Sequence, residues 1–361
     1  VPAGEVPQTL GPWGQQVWQQ ANGQHYYGIF WSGMPDLNYR NPEVTAEAYR
    51  VADFWLREVG VDGFRLDAIR HLVEDGDEMS DTPETVAWLA AFQSHVKRVQ
   101  PDALTVGEIW TSTEIVSDYV NAGAVDIAFE FDLASALIDA AKNGRRDKLA
   151  YTVANVAASY PDGRYATMLS NHDQNRVASE LEEDPARLKL AAGLLLTLPG
   201  VPFLYYGEEI GQIGAKPDEM IRNPMPWTGG ANGGFTAAAR PWERLQPGQA
   251  RRNVAAQSAD PDSLLNHYRR LVKLRQATPA LSHGSVSVLD AGRDDVIAWQ
   301  REAGEQRVVV VANLSAAAIT GLPLPGIGAV GATELLSGAK IGAGSSLTLA
   351  PHGLYVLAPA D

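Results

Sequence analysis

Three acidic residues each follow a short strand-like segment, and their types and spacing suit chemistry at a glycosidic bond. Asp67 closes the segment GFRLD at 63–67, Glu108 closes TVGE at 105–108, and Asp173 closes LSNHD at 169–173. Cleavage or transfer of a glycosidic bond passes through an oxocarbenium-like transition state, which needs a proton donor and anionic neighbours. Carboxylates delivered from the ends of successive buried strands provide both, so this chemistry is our first hypothesis.

Each acid also has a simpler explanation. An isolated aspartate after a strand, such as Asp67, is often the N-cap of a helix. Glu108 taken alone is compatible with a surface position. The Asn-His-Asp run at 171–173 is typical of a turn capped by the asparagine side chain. Because the three acids follow one another at strand ends, we favour the catalytic interpretation.

The segments around these acids alternate between strand and helix patterns. Apolar residues at helical spacing predict a helix over 42–59, and Gly60 is placed to end it. The pattern then predicts strands at 61–68, 103–110, 125–133, 165–170 and 201–206, and helices at 85–99, 134–142, 187–198 and 263–276. Serial units of this kind indicate parallel strands covered by helices. Five strands make an incomplete eight-stranded barrel or a doubly wound sheet, and acids at the carboxyl ends of strands fit the barrel.

Two later regions break this alternation. Residues 207–262 are rich in Gly, Pro, Asn and Trp, and a loop of this length in a compact domain usually has a functional role. After residue 283, short β-type runs at 286–289, 296–301, 307–313, 346–349 and 354–357 alternate with turn residues. These runs predict a separate antiparallel sandwich.

The composition limits the kinds of partner. The 361 residues are 45% hydrophobic and 20% charged, as in ordinary globular proteins, and no apolar run reaches the roughly 20 residues that span a bilayer. The formal net charge of −14 argues against a nucleic acid partner, because phosphate binding needs clustered Lys and Arg. The absence of cysteine excludes disulfides, thiolate chemistry and cysteine-ligated metals. A neutral polymer or small ligand is the expected partner.

Several segments together resemble a known family. The runs GFRLDA at 63–68, GEIW at 107–110 and NHD at 171–173 resemble three signature regions of the α-amylase family, glycoside hydrolase family 13. MPDLN at 34–38 resembles a further signature near the end of that family's inserted B domain, in the branch intermediate between oligo-1,6-glucosidases and neopullulanases. IRNPMPW at 221–227 resembles the loop after the eighth strand. The resemblance implies an α/β fold, a (β/α)8 TIM barrel followed by an antiparallel all-β C-terminal sandwich.

One part of the family pattern has no counterpart here. The family's first signature, an Asp and Asn-His run after the third barrel strand, and strands one to three are absent from this sequence. We therefore interpret residues 1–41 as the end of the B domain, 42–282 as the C-terminal part of the barrel with strands four to eight, and 283–361 as domain C. A missing N-terminal fragment of the same protein is expected to complete the barrel, and the fragment without it is expected to be inactive.

The resemblance assigns catalytic roles residue by residue. Asp67 is the expected nucleophile, and Arg65, two positions earlier on the same strand face, is expected to keep it ionised. Glu108 is the expected general acid and then base. Asp173 is expected to bind the sugar hydroxyls and favour the distorted ring, with His172 donating to the same sugar. Retention of the anomeric configuration follows from this double displacement.

Further residues are predicted to surround the substrate, each with a structural alternative. Arg70, Trp110 and Arg222 are candidates for sugar binding, against a surface position for Arg70 and packing for Arg222. The backbone carbonyl of His71 is a candidate calcium ligand, against a merely structural histidine. A separate calcium site among the acids of loop 75–81 is less favoured than a solvated loop. No organic cofactor is expected.

The resemblance thus implies a retaining α-glucan hydrolase of the α-amylase type, acting on α-1,4 bonds in starch and malto-oligosaccharides. We expect the protein to be secreted or periplasmic. The alternatives are a transferase or isomerase of the same family, such as a 4-α-glucanotransferase or trehalose synthase, or an exo-acting α-glucosidase. A non-catalytic family member is a further alternative, although such proteins usually lose one of the three acids. Neither nucleic acid nor membrane is expected as a partner.

Overall fold

The structure is a computed structural model that describes residues 9–160 and 163–360. The chain forms two compact units, Val1–Phe129 and Glu130–Asp361, which we call the N-terminal unit and the C-terminal unit. This division does not coincide with the predicted domain boundaries after residues 41 and 282. Among the described residues, no helix has both the length and the apolar character needed to cross a membrane.

The N-terminal unit contains a hairpin and a three-stranded parallel sheet with helices between its strands. Its strands are β1 (Trp18–Ala21), β2 (Gln24–Tyr27), β3 (Gly63–Leu66), β4 (Leu104–Gly107) and β5 (Ile127–Ala128). Its helices are α1 (Pro42–Asp53), α2 (Pro83–Val99) and α3 (Thr113–Asn121), with a π-helical segment at Phe54–Val59 and a 3-10 turn at Ile69–His71. The antiparallel pair β1 and β2 stands apart from the parallel sheet, whose order is β3, β4, β5.

Local chemistry explains why these elements begin and end where they do. The side chain of Asn41 accepts a hydrogen bond from the backbone N–H of Glu43 and so caps α1. Gly60 ends the predicted helix in the left-handed region, with φ of 79°. Gly63 has φ of 155°, and a Cβ there would lie 1.9 Å from the carbonyl oxygen of Leu104. Glycine at 63 therefore lets β4 approach β3 closely.

One face of α1 and of the π-helical segment is apolar and exposed. The opposite face packs in a core that includes Leu56, Phe92 and Val96. The exposed large side chains are Val51, Phe54, Trp55 and Val59, with 44–52% of their surface accessible. We call these four residues the α1 apolar patch. Strand β3, which follows it, lies at the edge of its sheet.

The first part of the C-terminal unit is mainly helical. It contains α4 (Phe131–Asn143), α5 (Arg146–Ser159), α6 (Val177–Glu180), α7 (Pro185–Thr197), α8 (Asp218–Ile221), α9 (Val254–Ala259), α10 (Leu264–Ala277) and α11 (Pro279–His283). Two short parallel strands, β6 (Ala166–Thr167) and β7 (Val201–Pro202), pair with each other. The predicted loop at 207–262 holds α8, α9 and 3-10 turns at Glu208–Ile210 and Ala231–Gly234.

The last part of the C-terminal unit is antiparallel, as the alternating β-type runs predict. Its strands are β8 (Ser285–Leu289), β9 (Val296–Ala303), β10 (Gln306–Asn313), β11 (Ile319–Leu322), β12 (Ala332–Glu334), β13 (Lys340–Ile341), β14 (Leu347–Leu349) and β15 (Leu354–Pro359). Six of them form a sheet in the order β13, β12, β15, β10, β9, β8, and β11 pairs with β14. Alternate side chains of these strands fill one apolar core.

Two buried arginines bind the carboxyl end of α7. Arg275 of α10 donates to the carbonyls of Leu196 and Leu198, at 2.9 and 2.6 Å. Arg301 of β9, which is 0% exposed, donates to the carbonyl of Thr197 at 2.6 Å. Carbonyls at a helix end have no partner within the helix, so these bonds satisfy groups that burial would otherwise leave unpaired.

Candidate active site

Asp67 and Glu108 lie side by side because they follow paired residues of neighbouring parallel strands. Leu66 of β3 is in register with Gly107 of β4, and the backbone N–H of Glu108 donates to the carbonyl of Leu66 at 2.9 Å. Asp67 directly follows Leu66, and Glu108 directly follows Gly107. The two carboxylates therefore emerge at the same end of the sheet, as the sequence predicts.

Arg65 contacts both carboxylates with one guanidinium group. Its Nη1 is paired with Asp67 Oδ1, and its Nη2 lies 3.1 Å from Glu108 Oε2. The Glu108 side chain is only 10% exposed, whereas that of Asp67 is 65% exposed. The arrangement places an accessible carboxylate next to a buried one, with a fixed positive charge between them.

A strained turn adds a second donor to Glu108. Ala68 has φ of 45°, in the left-handed region, and its backbone N–H donates to Glu108 Oε2 at 2.9 Å. A non-glycine residue in this region costs about 1–3 kcal/mol and persists where the surroundings over-determine it. This turn, which directly follows Asp67, thus helps to fix the Glu108 side chain.

Arg70 binds protein groups on this side of the site. Its side chain pairs with Asp81, and its Nη1 donates to the backbone carbonyl of Trp110 at 2.7 Å. Tyr119 donates to the same aspartate at 2.9 Å, and both burial and that carboxylate raise the pKa of the tyrosine. Arg70 therefore orients the backbone two residues after Glu108. Its predicted contact with a sugar stays a prediction, as does that of Trp110, whose surface is 49% exposed.

His71 is held by protein contacts. Its Nδ1 lies 2.8 Å from the carbonyl oxygen of Met79, and its ring packs near Trp13 and Phe30. Burial lowers the pKa of His71, which favours a neutral ring. Within residues 9–160 and 163–360, no group of three or more His, Asp or Glu side chains is placed to hold a metal ion. The backbone carbonyl of His71 as a calcium ligand stays a prediction.

The C-terminal unit positions Asp173 by a turn and by an arginine. The backbone N–H of Asp173 donates to the side chain of Asn171 at 2.9 Å, so the turn proposed as the simpler explanation is present. Arg222 Nη2 lies 2.6 Å from Asp173 Oδ1, and Arg222 Nε donates to the carbonyl of His172 at 2.9 Å. His172 Nε2 lies 3.2 Å from Asp173 Oδ2. A capped turn and a functional acid are therefore compatible in this segment.

Sequence reasoning missed three residues near Arg222. Asp218 is a second carboxylate partner of Arg222 at 2.8 Å, and Tyr205 and Tyr206 bind the backbone on either side of it. The i, i+4 spacing of Asp218 and Arg222 is a signal that was available in the sequence. The tyrosine contacts depend on the folding of the loop after β7 and leave no such signal.

This geometry suits glycosidic-bond chemistry. A general acid and a nucleophilic carboxylate lie about 5–5.5 Å apart in retaining glycosidases. Asp67 and Glu108 both contact the guanidinium of Arg65, which places them side by side. Asp173 with His172 forms a second polar cluster, in the C-terminal unit.

The chain matches models of two protein domains. The model of the α-amylase catalytic domain matches residues 3–284, and the model of the maltogenic amylase C-terminal domain matches residues 286–356. These two matches cover the parts predicted as barrel and as sandwich.

Relatives agree with these domains. Alpha-amylase 3 of Dictyoglomus thermophilum is 34% identical over 304 residues, which cover 83% of this chain and 59% of that protein. Trehalose synthase of Thermus thermophilus is 31% identical over 389 residues, which cover 93% of this chain and 40% of that protein. The chain therefore spans about half the length of these two relatives.

A solved structure has the same fold. The crystal structure of α-amylase from H.orenii superposes with a TM-score of 0.80 at 32% identity, covering 96% of this chain and 70% of that chain. The predicted fold class, a TIM-barrel catalytic domain followed by an antiparallel β domain, is confirmed. With the catalytic-domain model matching most of its length, the chain belongs to the α-amylase family of glycoside hydrolases, glycoside hydrolase family 13.

Proposed function

We propose that this protein is a retaining α-glucan hydrolase that cleaves α-1,4 bonds in starch and malto-oligosaccharides. The observation that carries the proposal is the contact of Arg65 with both Asp67 and Glu108. The similarity to an α-amylase from Dictyoglomus thermophilum supports the choice of substrate.

In this proposal the reaction has two displacements. Asp67 attacks the anomeric carbon and forms a glycosyl ester, while Glu108 gives its proton to the departing oxygen. Glu108 then removes a proton from water, which attacks the ester and releases Asp67. Arg65 orients both carboxylates, because its guanidinium contacts each of them. Asp173 and His172 bind sugar hydroxyls in the distorted ring.

A second function is favoured by one observation. Trehalose synthase of Thermus thermophilus aligns over 93% of this chain, a larger share than the α-amylase relative. Hydrolases and transferases or isomerases of this kind share the glycosyl ester and differ in whether water or a sugar hydroxyl resolves it. An exo-acting α-glucosidase is a further alternative.

The test is product analysis by the full-length protein on maltotetraose. Hydrolysis gives glucose, maltose and maltotriose, and proton NMR of the first products shows the α-anomer. Longer oligomers or trehalose as the main products would instead support a transferase or isomerase. The β-anomer as the first product would contradict the double displacement.

We further propose that another segment of the same protein covers the α1 apolar patch and pairs with the free edge of β3. Four exposed large apolar side chains next to an edge strand are a surface that soluble proteins usually cover. Completion of the barrel by an N-terminal fragment fits that surface. Calcium at His71 stays a prediction from the family resemblance, and secretion or periplasmic export stays a prediction without a test.

A further inference from the structure

Arg176 lies three residues after Asp173 and is a buried anchor of the C-terminal unit. Only 1% of its surface is exposed. Its guanidinium lies over the rings of Tyr205 and Tyr206, 4.5 and 4.6 Å from the two ring centroids. Its Nη1 also donates to the carbonyl of Tyr206. A desolvated guanidinium over aromatic faces is strongly attracted, so Arg176 fixes both rings.

The residue after this tyrosine pair leaves room for the arginine. Gly207 has φ of 84°, and a Cβ there would lie 2.9 Å from Arg176 Nη1 and 2.1 Å from Gln212 Oε1. Any side chain at 207 would therefore displace the guanidinium or the glutamine. The glycine is required both by the backbone conformation and by the anchor.

The two tyrosine hydroxyls bind the backbone on both sides of Arg222. The hydroxyl of Tyr205 donates to the carbonyl of Ile221 at 3.1 Å, and that of Tyr206 donates to the carbonyl of Asn223 at 2.7 Å. Arg222 is thus held between two fixed points. Its own side chain reaches Asp173 and the carbonyl of His172.

These contacts close a ring that starts and ends at Asp173. We propose that Tyr205 and Tyr206, anchored by Arg176, are positioning residues for Asp173, because they fix the backbone of Arg222 and Arg222 fixes the carboxylate. This inference rests on the proposed function, in which Asp173 binds the distorted sugar. An arginine side chain is long and flexible, so it orients a carboxylate only where its backbone is itself fixed.

The experiment removes the two hydroxyls and keeps the rings. In the full-length protein, the double variant Tyr205→Phe, Tyr206→Phe retains the stacking on Arg176 but removes the tyrosine hydrogen bonds to the carbonyls of Ile221 and Asn223. The carbonyl of Asn223 keeps a weaker bond from Gln212 Nε2 at 3.2 Å. The matched control is Tyr355→Phe, which removes a hydroxyl that accepts a backbone hydrogen bond from Ala350 in the β domain. For each variant we measure kcat and KM on maltotetraose and the unfolding temperature. The crystal structure of each variant gives the distance between Arg222 Nη2 and Asp173 Oδ1.

We expect the double variant to lower kcat roughly 10- to 100-fold with KM within about threefold of the parent value, because misplaced transition-state contacts reduce kcat. In its crystal structure, we expect the separation of Arg222 Nη2 from Asp173 Oδ1 to increase from 2.6 Å to more than about 3.2 Å, beyond hydrogen-bond distance. Its unfolding temperature falls no further than that of Tyr355→Phe, which also keeps normal kinetics.

A double variant that keeps the bond between Arg222 and Asp173 overturns the inference, whatever its kinetics. A kinetic loss matched by Tyr355→Phe also overturns it, because the effect would then reflect general stability. If the parent protein does not act on α-glucans, the proposed function fails, and the crystallographic distance still decides whether the tyrosines position Asp173.

Discussion

The guanidinium of Arg65 lies against the carboxylate of Glu108, with Nη2 3.1 Å from Oε2. Its other terminal nitrogen is paired with Asp67, so one side chain orients both acids. A planar group with two terminal nitrogens makes these contacts simultaneously, whereas an ammonium is a single point charge.

Replacement of Arg65 is expected to reduce activity without unfolding the protein. We predict that Arg65→Lys in the full-length protein lowers kcat/KM on maltotetraose by roughly 100- to 1000-fold, because a lysine cannot hold both carboxylates. Arg57→Lys is the control, since Arg57 is exposed and lies 3.9 Å from its partner Asp53. Equal activity of Arg65→Lys and Arg57→Lys would contradict the role given to Arg65.

The roles of the two acids can be separated by rescue with azide. Asp67→Ala and Glu108→Ala are each expected to lower the rate by several orders of magnitude. With an α-glycosyl fluoride as donor, azide takes the place of the missing nucleophile in Asp67→Ala and gives the β-glycosyl azide. In Glu108→Ala the glycosyl ester still forms, and azide attacks it to give the α-glycosyl azide. NMR of the products distinguishes the two anomers.

The neighbouring Asp62→Ala serves as the control for this rescue, because Asp62 is an exposed acid just before β3. We expect it to keep the parent rate and to form no azide product. The same anomer from both catalytic variants would refute the assignment of nucleophile and acid.

Glu208 makes stability depend on pH. Its side chain is buried beside Tyr268, whose hydroxyl donates to Oε1 at 2.7 Å, and burial raises the pKa of Glu208 to about 8 from 4.5. Between these two values the folded chain keeps a proton that the unfolded chain releases. The contribution of Glu208 to stability is therefore fully present below pH 4.5 and is lost as the pH rises through 8, at about 1.4 kcal/mol per pH unit.

Glu208→Gln removes this titration and leaves an oxygen for Tyr268 to bind. We predict that its unfolding temperature rises relative to the parent protein as the pH is raised from 5 to 8, as measured by scanning calorimetry. Glu305→Gln, at an exposed turn before β10, should show no such trend. A constant difference between Glu208→Gln and the parent across this range would mean that Glu208 does not titrate there.

The α1 apolar patch is expected to make the 361-residue chain self-associate when it is prepared alone. We predict that Phe54→Ser with Trp55→Gln reduces this association, because these side chains expose 52% and 44% of their surface. Light scattering after size exclusion at several concentrations measures the effect. Tyr151→Ser is the control, since Tyr151 is 70% exposed but lies in α5, outside the patch.

We also expect the isolated chain not to hydrolyse starch. Association reduced equally by Tyr151→Ser would argue against a special role for the patch. A chain that stays monomeric at all concentrations, or that hydrolyses starch alone, would contradict the proposal that another segment covers this surface.

Local signals predicted the parts of the fold that local chemistry determines. The helix from Pro42 and its end at Gly60 follow from spacing and capping within a few residues. The strand predicted at 125–133 is instead only Ile127–Ala128, because α4 begins at Phe131, and apolar residues suit either element. No sequence pattern predicted α3, α5 or the short strands β1, β2, β11, β12 and β13.

In the candidate site too, some contacts follow from local sequence and others depend on tertiary structure. The adjacency of Asp67 and Glu108 follows from strand order, because both acids occupy the first position after paired strands. The pairing of Arg222 with Asp173 joins residues 49 positions apart and depends on tertiary structure. The binding of Arg70 to Asp81 needed a folded loop for the same reason.

The two arginines at the carboxyl end of α7 have a consequence for protein engineering. One of them, Arg301, belongs to the β domain, although the carbonyl it binds belongs to the helical part. Exchanging the β domain for that of another family member would remove the guanidinium of Arg301 and leave the buried carbonyl of Thr197 without its hydrogen-bond donor. Chimaeras should therefore carry an arginine at the equivalent position, or the graft should be made together with α7.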